Sequence, residues 1–125
     1  MRVLLIDDEQ MVRKIVRKML ERSGHDVTEA ENGRLGLEQL KNATFDLVIT
    51  DIIMPEMEGV ETLMTVREQY PSVKVIAMSG GGRTGNIDFL SAAEKLGASA
   101  ILHKPFTLGS LASAMEATFG VQKAS

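Results

Sequence analysis

The chain has 125 residues, a net charge of −3 and no cysteine, and 44% of its residues are apolar. This length and composition fit one globular domain with its own hydrophobic core, and the lack of cysteine excludes disulfides and thiolate metal sites. The negative charge and the low aromatic content, 4%, argue against nucleic-acid binding, and the longest aliphatic run, Val3 to Ile6, is too short to cross a bilayer. We therefore expect a cytoplasmic domain that binds neither nucleic acid nor membrane.

The first predicted strand, residues 2–6, ends at three consecutive acids, Asp7, Asp8 and Glu9. The next segment has apolar residues at helical spacing, and this predicts a helix that ends near Gly24. Its predicted inward face carries Val12, Ile15, Val16 and Met19, and its other face carries Arg13, Lys14, Arg17, Lys18 and Arg22. We interpret the basic face as solvated, with a docking surface for an acidic partner as the alternative.

Residues 25–30 predict a second, weaker strand, and Asn32 is the expected cap of a second helix that carries leucines. A third strand, residues 47–51, delivers Asp51 at its end, and the following loop contains a proline that cannot continue strand pairing. A third helix is predicted from about 58 to 70, with Val60, Leu63 and Met64 turned inward.

Residues 73–78 predict a fourth strand that ends at Ser79, and a glycine-rich run follows it. A helix is expected over about 87–96, ending at a left-handed Gly97, and a fifth strand over 98–103 is closed by Lys104. Thr107 is the expected cap of a last helix, whose predicted inward residues are Leu108, Leu111, Ala112, Met115 and Phe119.

Five strands that alternate with five helices predict an α/β fold with a parallel sheet covered by helices on both faces. We expect one domain over residues 1–120, followed by a short polar tail at 121–125. Ligands of such sheets bind outside the carboxyl ends of the strands, at the point where the strand order reverses. The polar residues that end the strands are therefore the candidate site.

Those strand ends carry Asp7 and Asp8, Asp51, Ser79 and Lys104. Clustered carboxylates repel one another unless a cation lies among them, and Mg²⁺ favours one or two carboxylates, a carbonyl and waters. Lys104 and Ser79 are suited to hold a phosphoryl group, and Asp51 is suited to attack phosphorus as a carboxylate nucleophile. Taken singly, the two acids could cap the first helix, Lys104 could be a solvated cation and Ser79 a turn residue.

The ordered set resembles the receiver domains of two-component response regulators, in particular the stand-alone, chemotaxis-regulator-like ones. The resemblance covers nearly the whole chain and rests on five motifs: the acid pair Asp7-Asp8, Asp51 followed by Met54-Pro55, Gly59, Ser79, and Lys104-Pro105-Phe106. It implies a flavodoxin-like, doubly wound sheet of order 2-1-3-4-5. It also implies that Asp51 accepts a phosphoryl group from a histidine of a sensor kinase or phosphotransfer protein, and that the domain catalyses only its own phosphorylation and dephosphorylation.

The same resemblance implies the site residues. Mg²⁺ would be coordinated by Asp8, by Asp51 and by the backbone carbonyl of Ile53, with Asp7 reaching it through water. The Lys104–Pro105 peptide bond would be cis. Phosphorylation would shift the conformation of the surface formed by the fourth helix, the fifth strand and the last helix, where an unknown downstream partner binds.

Two features depart from the family pattern. Receivers commonly carry an aromatic residue three positions before the lysine, but here that residue is Ile101, which strand alternation places on the same side as His103. We interpret His103 as a surface residue. The glycine run after Ser79, which contains Gly80, Gly81, Gly82 and Gly85, predicts a mobile loop that becomes less mobile on phosphorylation.

Three other functions are weighed against this one. The glycine run lacks the lysine and hydroxyl of a phosphate-binding P-loop, because Asn86 and Ile87 follow it, and this excludes a nucleotide triphosphatase. An aspartyl phosphatase would need a second acid where Ile53 stands. A purely structural interaction module would need none of the five polar residues. In the family that the chain resembles, the side chains at positions 53 and 81 influence how water reaches the acyl phosphate. Ile53 favours slow hydrolysis, Gly81 leaves room for water and favours the opposite, and we expect a long-lived phosphoryl group.

Overall fold

The computed structural model describes residues 1–52, 58–80, 95, 97–104 and 106–120. Five strands and four helices lie within these residues. In chain order they are β1 (Arg2–Ile6), α1 (Gln10–Arg22), β2 (Asp26–Ala30), α2 (Gly33–Asn42), β3 (Leu47–Asp51), α3 (Glu58–Gln69), β4 (Lys74–Gly80), β5 (Ala100–Lys104) and α4 (Leu108–Phe119). The helix predicted over about 87–96 lies outside the described residues except for Lys95, and the predicted tail lies outside them entirely. None of the described helices has the length and apolar character needed to span a membrane.

All five strands are parallel and lie in the order β2-β1-β3-β4-β5, which confirms the predicted sheet. The chain passes outward from β1 to β2 and then crosses to β3 on the other side of β1. The strand order therefore reverses between β1 and β3, and the carboxyl ends of these two strands flank the crevice where such sheets bind ligands.

The hydrophobic core forms two layers, one on each face of the sheet. Alternate residues of β1 point to opposite faces: Leu4 and Ile6 pack in the layer under α2 and α3, whereas Val3 and Leu5 pack in the layer under α1 and α4. Because both faces are covered, β1 and β3 are apolar through most of their length and are almost wholly buried. Each strand therefore ends where its buried apolar run stops.

Three predicted local features are confirmed. The Asn32 side chain accepts a hydrogen bond from the Leu35 N–H at 2.8 Å, and the Thr107 hydroxyl accepts one from the Ser110 N–H at 3.1 Å, so both cap their helices. Gly97 has a φ of +112°, a conformation that residues with a Cβ rarely adopt.

The predicted inward faces of the helices are wrong at four positions. Ile15 and Met64 are 51% and 50% exposed, Leu108 is also exposed, and Ala112 lies on the outer side of α4. The stripe that α1 buries is centred on Val16 and Leu20, and α3 buries Leu63 and Val66. A helix that packs on a sheet buries only a narrow stripe of its own surface, so an apolar residue beside that stripe stays exposed.

Gly36 allows α2 to lie close against β1. A Cβ at this position would lie 2.9 Å from Cγ1 of Ile6, which is completely buried and immediately precedes the acid pair. The glycine is unfavourable for helix propensity, but any larger residue would push against the strand that carries Asp7.

Candidate functional site

The strand ends bring the predicted charged side chains together. Ile6, the last residue of β1, pairs with Thr50, and the next residue on each chain segment is an aspartate, Asp7 and Asp51. On the other side of β3, β4 and β5 extend far enough that Gly80 pairs with Lys104. The crevice at the strand reversal is therefore lined by residues from the ends of three strands.

Three carboxylates form a compact cluster at this edge. Asp7, Asp8 and Asp51 each offer one carboxylate oxygen, and these oxygens all lie within 4.8 Å of one another. Asp7 and Asp51 are buried, whereas Asp8 is exposed. The cluster is thus accessible from solvent through Asp8 and enclosed at its other two members.

Lys104 lies between the two buried carboxylates. Its Nζ donates to Asp7 Oδ2 at 2.7 Å and to Asp51 Oδ2 at 2.8 Å, and Glu9 Oε1 lies 3.5 Å away. Only 11% of the lysine side chain is exposed. One ammonium therefore serves two buried carboxylates, and among the described residues of the site the negative charge exceeds the positive charge.

Burial and pairing act in opposite directions on the pKa values of Asp7 and Lys104. Burial raises the pKa of the Asp7 carboxyl, and this effect exceeds the lowering by the Lys104 ammonium and the Glu9 N–H. Burial alone would lower the pKa of Lys104, but its hydrogen bonds to Asp51 and Asp7 more than offset this, so the lysine stays protonated.

The donor set fits a hard divalent cation. Asp7 has protein donors on both of its oxygens, Lys104 on Oδ2 and the Glu9 N–H on Oδ1 at 2.8 Å. Among the described residues, the exposed Asp8 carboxylate and the Asp51 carboxylate offer the oxygens suited to direct coordination of Mg²⁺. A doubly charged ion would also remove the excess negative charge.

Several predicted site residues lie wholly or partly outside the described part of the chain. Ile53, Pro105 and the three glycines Gly81, Gly82 and Gly85 are outside it, so the carbonyl ligand, the cis peptide and the mobile loop remain predictions. Ser79 belongs to β4 and its backbone pairs with His103, but its side chain lies outside the description. Gly80 is the last residue of β4, so the strand ends two residues later than predicted.

Ile101 and His103 differ in their surroundings. Ile101 is partly buried against the core layer under α2 and α3, whereas His103 is exposed. The last helix, α4, packs on the opposite face of the sheet from Ile101. Their role as a switch surface stays a prediction.

Arg13 reaches the site although the sequence assigned it to a solvated basic face. Its Nη1 donates to the backbone oxygen of Asp7 at 2.7 Å, and its Nε donates to Glu29 at 2.9 Å. Amphipathic periodicity shows which residues face away from the core, but it does not show that a long side chain reaches back along the helix. The other basic residues differ: Arg17 also binds Glu29, while Lys14, Lys18 and Arg22 are exposed.

Comparison with known proteins shows which family the chain matches. The family model described as "Response regulator receiver domain" matches residues 3–116. The chain is 38% identical over 79 residues to the response regulator receiver protein CpdR of Brucella abortus, covering 63% of this chain and 66% of that protein. It is 34% identical to the chemotaxis protein CheY of Thermotoga maritima, covering 84% of this chain and 86% of that protein.

A solved structure supports the same relationship. The response regulator receiver domain protein of Clostridium thermocellum superimposes with a TM-score of 0.83 at 32% identity, covering 92% of this chain and 90% of that one. The chain also spans about 12% of the sensor kinase CckA of Brucella abortus, and 33% and 45% of two other curated relatives, so it corresponds to one part of these longer proteins. Receiver domains have a regulatory role and bind Mg²⁺ at an acidic pocket, and the matched family, the shared fold and the strand-end acids together establish that this chain belongs to the response regulator receiver family.

Proposed function

We propose that this chain is a phosphorylation-dependent receiver in which Asp51 accepts a phosphoryl group from a phosphohistidine in a Mg²⁺-dependent reaction. The observation that carries the proposal is the position of Asp51. It is a buried carboxylate at the carboxyl end of the central strand, 2.8 Å from Lys104 and within the acid cluster. Burying a charge costs free energy, so a buried carboxylate kept at this position indicates a functional role.

Each residue of the site has a separate role in the phosphoryl transfer. An Asp51 carboxylate oxygen forms a bond to phosphorus while the bond from phosphorus to the histidine nitrogen breaks, and the electron pair leaves with the imidazole. Lys104, already aimed at Asp51 Oδ2, then donates to a phosphoryl oxygen, and the Ser79 hydroxyl donates to another. Asp7 holds Lys104 in place through its Oδ2 throughout.

Asp8 and Asp51 would supply the direct side-chain ligands for Mg²⁺, the Ile53 carbonyl would supply a backbone ligand, and Asp7 would act through water. The protein donors on both oxygens of Asp7 support this indirect role. When bound, Mg²⁺ neutralises the charge of the transferred phosphoryl group.

The phosphoryl donor in this proposal is a sensor histidine kinase or a histidine phosphotransfer protein in the cytoplasm. Phosphorylation favours one of two conformations of the surface around β5, where a downstream protein binds, because it interacts more strongly with that conformation. The domain transforms no substrate other than itself. The similarity to the receiver protein CpdR and to one part of the sensor kinase CckA supports a receiver that is partnered by a kinase.

Incubation with acetyl phosphate and Mg²⁺, followed by intact mass measurement, tests the proposal. We expect the wild type to gain the mass of one phosphoryl group, and we expect no gain after chelation of Mg²⁺ or in Asp51→Asn. Asp46→Asn, which changes the aspartate immediately before the same strand, is the matched control and should gain the mass normally. A wild type that takes up no phosphoryl group from acetyl phosphate or from any phosphohistidine donor contradicts the proposal.

A further inference from the structure

Arg13 joins the acid pair to the neighbouring edge strand. It lies in the first turns of α1, and its guanidinium donates in two directions, to the backbone oxygen of Asp7 and to Glu29 Oε1 on β2. Only 13% of the side chain is exposed. A nearly buried guanidinium with two partners on separate elements fixes their relative positions.

A second arginine also binds the Glu29 end of this bridge. Glu29 Oε2 accepts a hydrogen bond from Arg17 Nη1 at 2.8 Å, so each oxygen of the carboxylate has one arginine. Arg17 in turn binds Glu21 at 2.8 Å one helical turn along α1. Because Glu29 neutralises Arg13, the arginine approaches the acid cluster without bringing a net positive charge that would repel a metal ion.

The contact on the Asp7 carbonyl bears on Asp8. The backbone oxygen of Asp7 and the N–H of Asp8 belong to the same planar peptide group, so a donor on that oxygen fixes the orientation in which the chain enters Asp8. The Asp7 N–H is also held, by the Ala30 carbonyl at 3.2 Å. Asp8 is exposed, and packing therefore does little to orient it.

We propose that Arg13 is a positioning residue for the metal site: it holds the Asp7–Asp8 peptide group so that the Asp8 carboxylate is presented to the cation, with Glu29 as its anchor. This rests on the proposed Mg²⁺-dependent function. Partners of this kind, one step removed from the ligands, commonly alter metal affinity when they are changed.

The change in Mg²⁺ affinity on substitution of Arg13, measured by chemical-shift titration of the folded protein, distinguishes a positioning role from a purely electrostatic one. Loss of a nearby positive charge alone would tighten Mg²⁺ binding, whereas loss of positioning would weaken it. We expect Arg13→Met to weaken Mg²⁺ binding about tenfold. We expect the phosphorylation rate with acetyl phosphate to return to within about twofold of the wild type at saturating Mg²⁺, because Arg13 does not contact the reacting atoms.

Arg17→Met is the matched control. It removes the other arginine from Glu29 but leaves the contact with the Asp7 carbonyl, so it should change Mg²⁺ affinity by less than about twofold. Arg13→Lys keeps the charge and a donor but lacks the planar fork, so it should restore part of the affinity. Hydrogen exchange of the Asp8 and Glu9 amides in metal-free protein should accelerate in Arg13→Met and not in Arg17→Met.

Unchanged or tighter Mg²⁺ binding in Arg13→Met would overturn the inference, as would equal weakening in Arg17→Met. If Arg13→Met does not fold, the Arg13→Lys affinity and amide exchange decide in the same way. A wild type that binds Mg²⁺ but takes up no phosphoryl group would remove the proposed function and leave the positioning role standing. A wild type that binds no Mg²⁺ would remove both.

Discussion

The two ends of β3 place an aspartate in opposite situations. Asp46, immediately before the strand, is exposed: its Oδ2 accepts the Arg2 N–H at 2.8 Å, and its backbone pairs with Arg2 and Lys74. Asp51, which ends the strand, is buried in a cluster where two enclosed carboxylates share one ammonium. The same residue type is exposed to water at one end of the strand and shares a buried ammonium with a second carboxylate at the other.

This difference separates stability from function. At the Asp46 end the aspartate is exposed to water, and its N–H, its carbonyl and its Oδ2 are hydrogen-bonded, so a substitution there should cost a little stability and leave the chemistry intact. At the Asp51 end two enclosed carboxylates share the Lys104 ammonium, so substitutions there should change stability in either direction and abolish or alter the chemistry.

The largest expected effect is the loss of Lys104. Lys104→Met leaves Asp7 and Asp51 enclosed without their shared cation and should lower the free energy of unfolding in metal-free buffer by about 3 kcal/mol. Mg²⁺ should restore part of this loss. Urea denaturation with and without Mg²⁺ measures it, and Lys74→Met, at the opposite end of the sheet, is the control with little expected change. Equal losses in the two variants would remove the contrast between the ends.

A smaller effect of opposite sign distinguishes the two aspartates. Asp51→Asn removes one of two carboxylates that share Lys104 and should raise the free energy of unfolding of the metal-free protein by about 1 kcal/mol. Asp46→Asn keeps an acceptor for the Arg2 N–H and should lower it by at most about 0.5 kcal/mol. The same urea titrations measure both variants. A loss of stability in Asp51→Asn would show that its charge is fully compensated.

The smallest effect is the pH dependence of the Arg13–Glu29–Arg17 bridge. The Arg17 hydrogen bond, together with that of Arg13, holds the pKa of Glu29 below its ordinary value of 4.5. The ionised carboxylate therefore stabilises the fold above pH 4.5, and this contribution is lost as the pH falls through the lowered pKa.

We expect the free energy of unfolding of the wild type to fall more steeply below pH 4.5 than that of Glu29→Gln. The raised pKa of Asp7 acts in the opposite direction, but it is common to both proteins and cancels in the difference. Parallel pH profiles of the two proteins would show that Glu29 is not held by its arginines in solution.

The sequence predicts the sheet and the convergence of Asp7, Asp51 and Lys104 well because both follow from where buried apolar runs stop. The order of the strands and the metal ligands depended on family resemblance, since periodicity alone does not fix which strands are neighbours. Ile15 and Met64 were misplaced because the period of a helix gives its apolar side but not the centre of the buried stripe.

The reach of Arg13 and the sharing of Lys104 between two acids could not be predicted. The Lys104 contact joins side chains from segments far apart in the chain, and the Arg13 contact depends on the conformation of a long side chain that reaches the backbone oxygen of Asp7. The helical pattern places Arg13 on the outward side of α1. It does not show that the long side chain lies along the helix toward its first turn.

Mapping the phosphoryl group tests the central claim most directly. Wild-type protein phosphorylated by acetyl phosphate and Mg²⁺ is treated with borohydride, which reduces an acyl phosphate at the modified side chain, and the peptides are then sequenced by mass spectrometry. We predict reduction at Asp51 alone. Reduction at Asp7 or Asp8 in place of Asp51 would contradict the assignment of the acid that ends β3 as the phosphoryl acceptor.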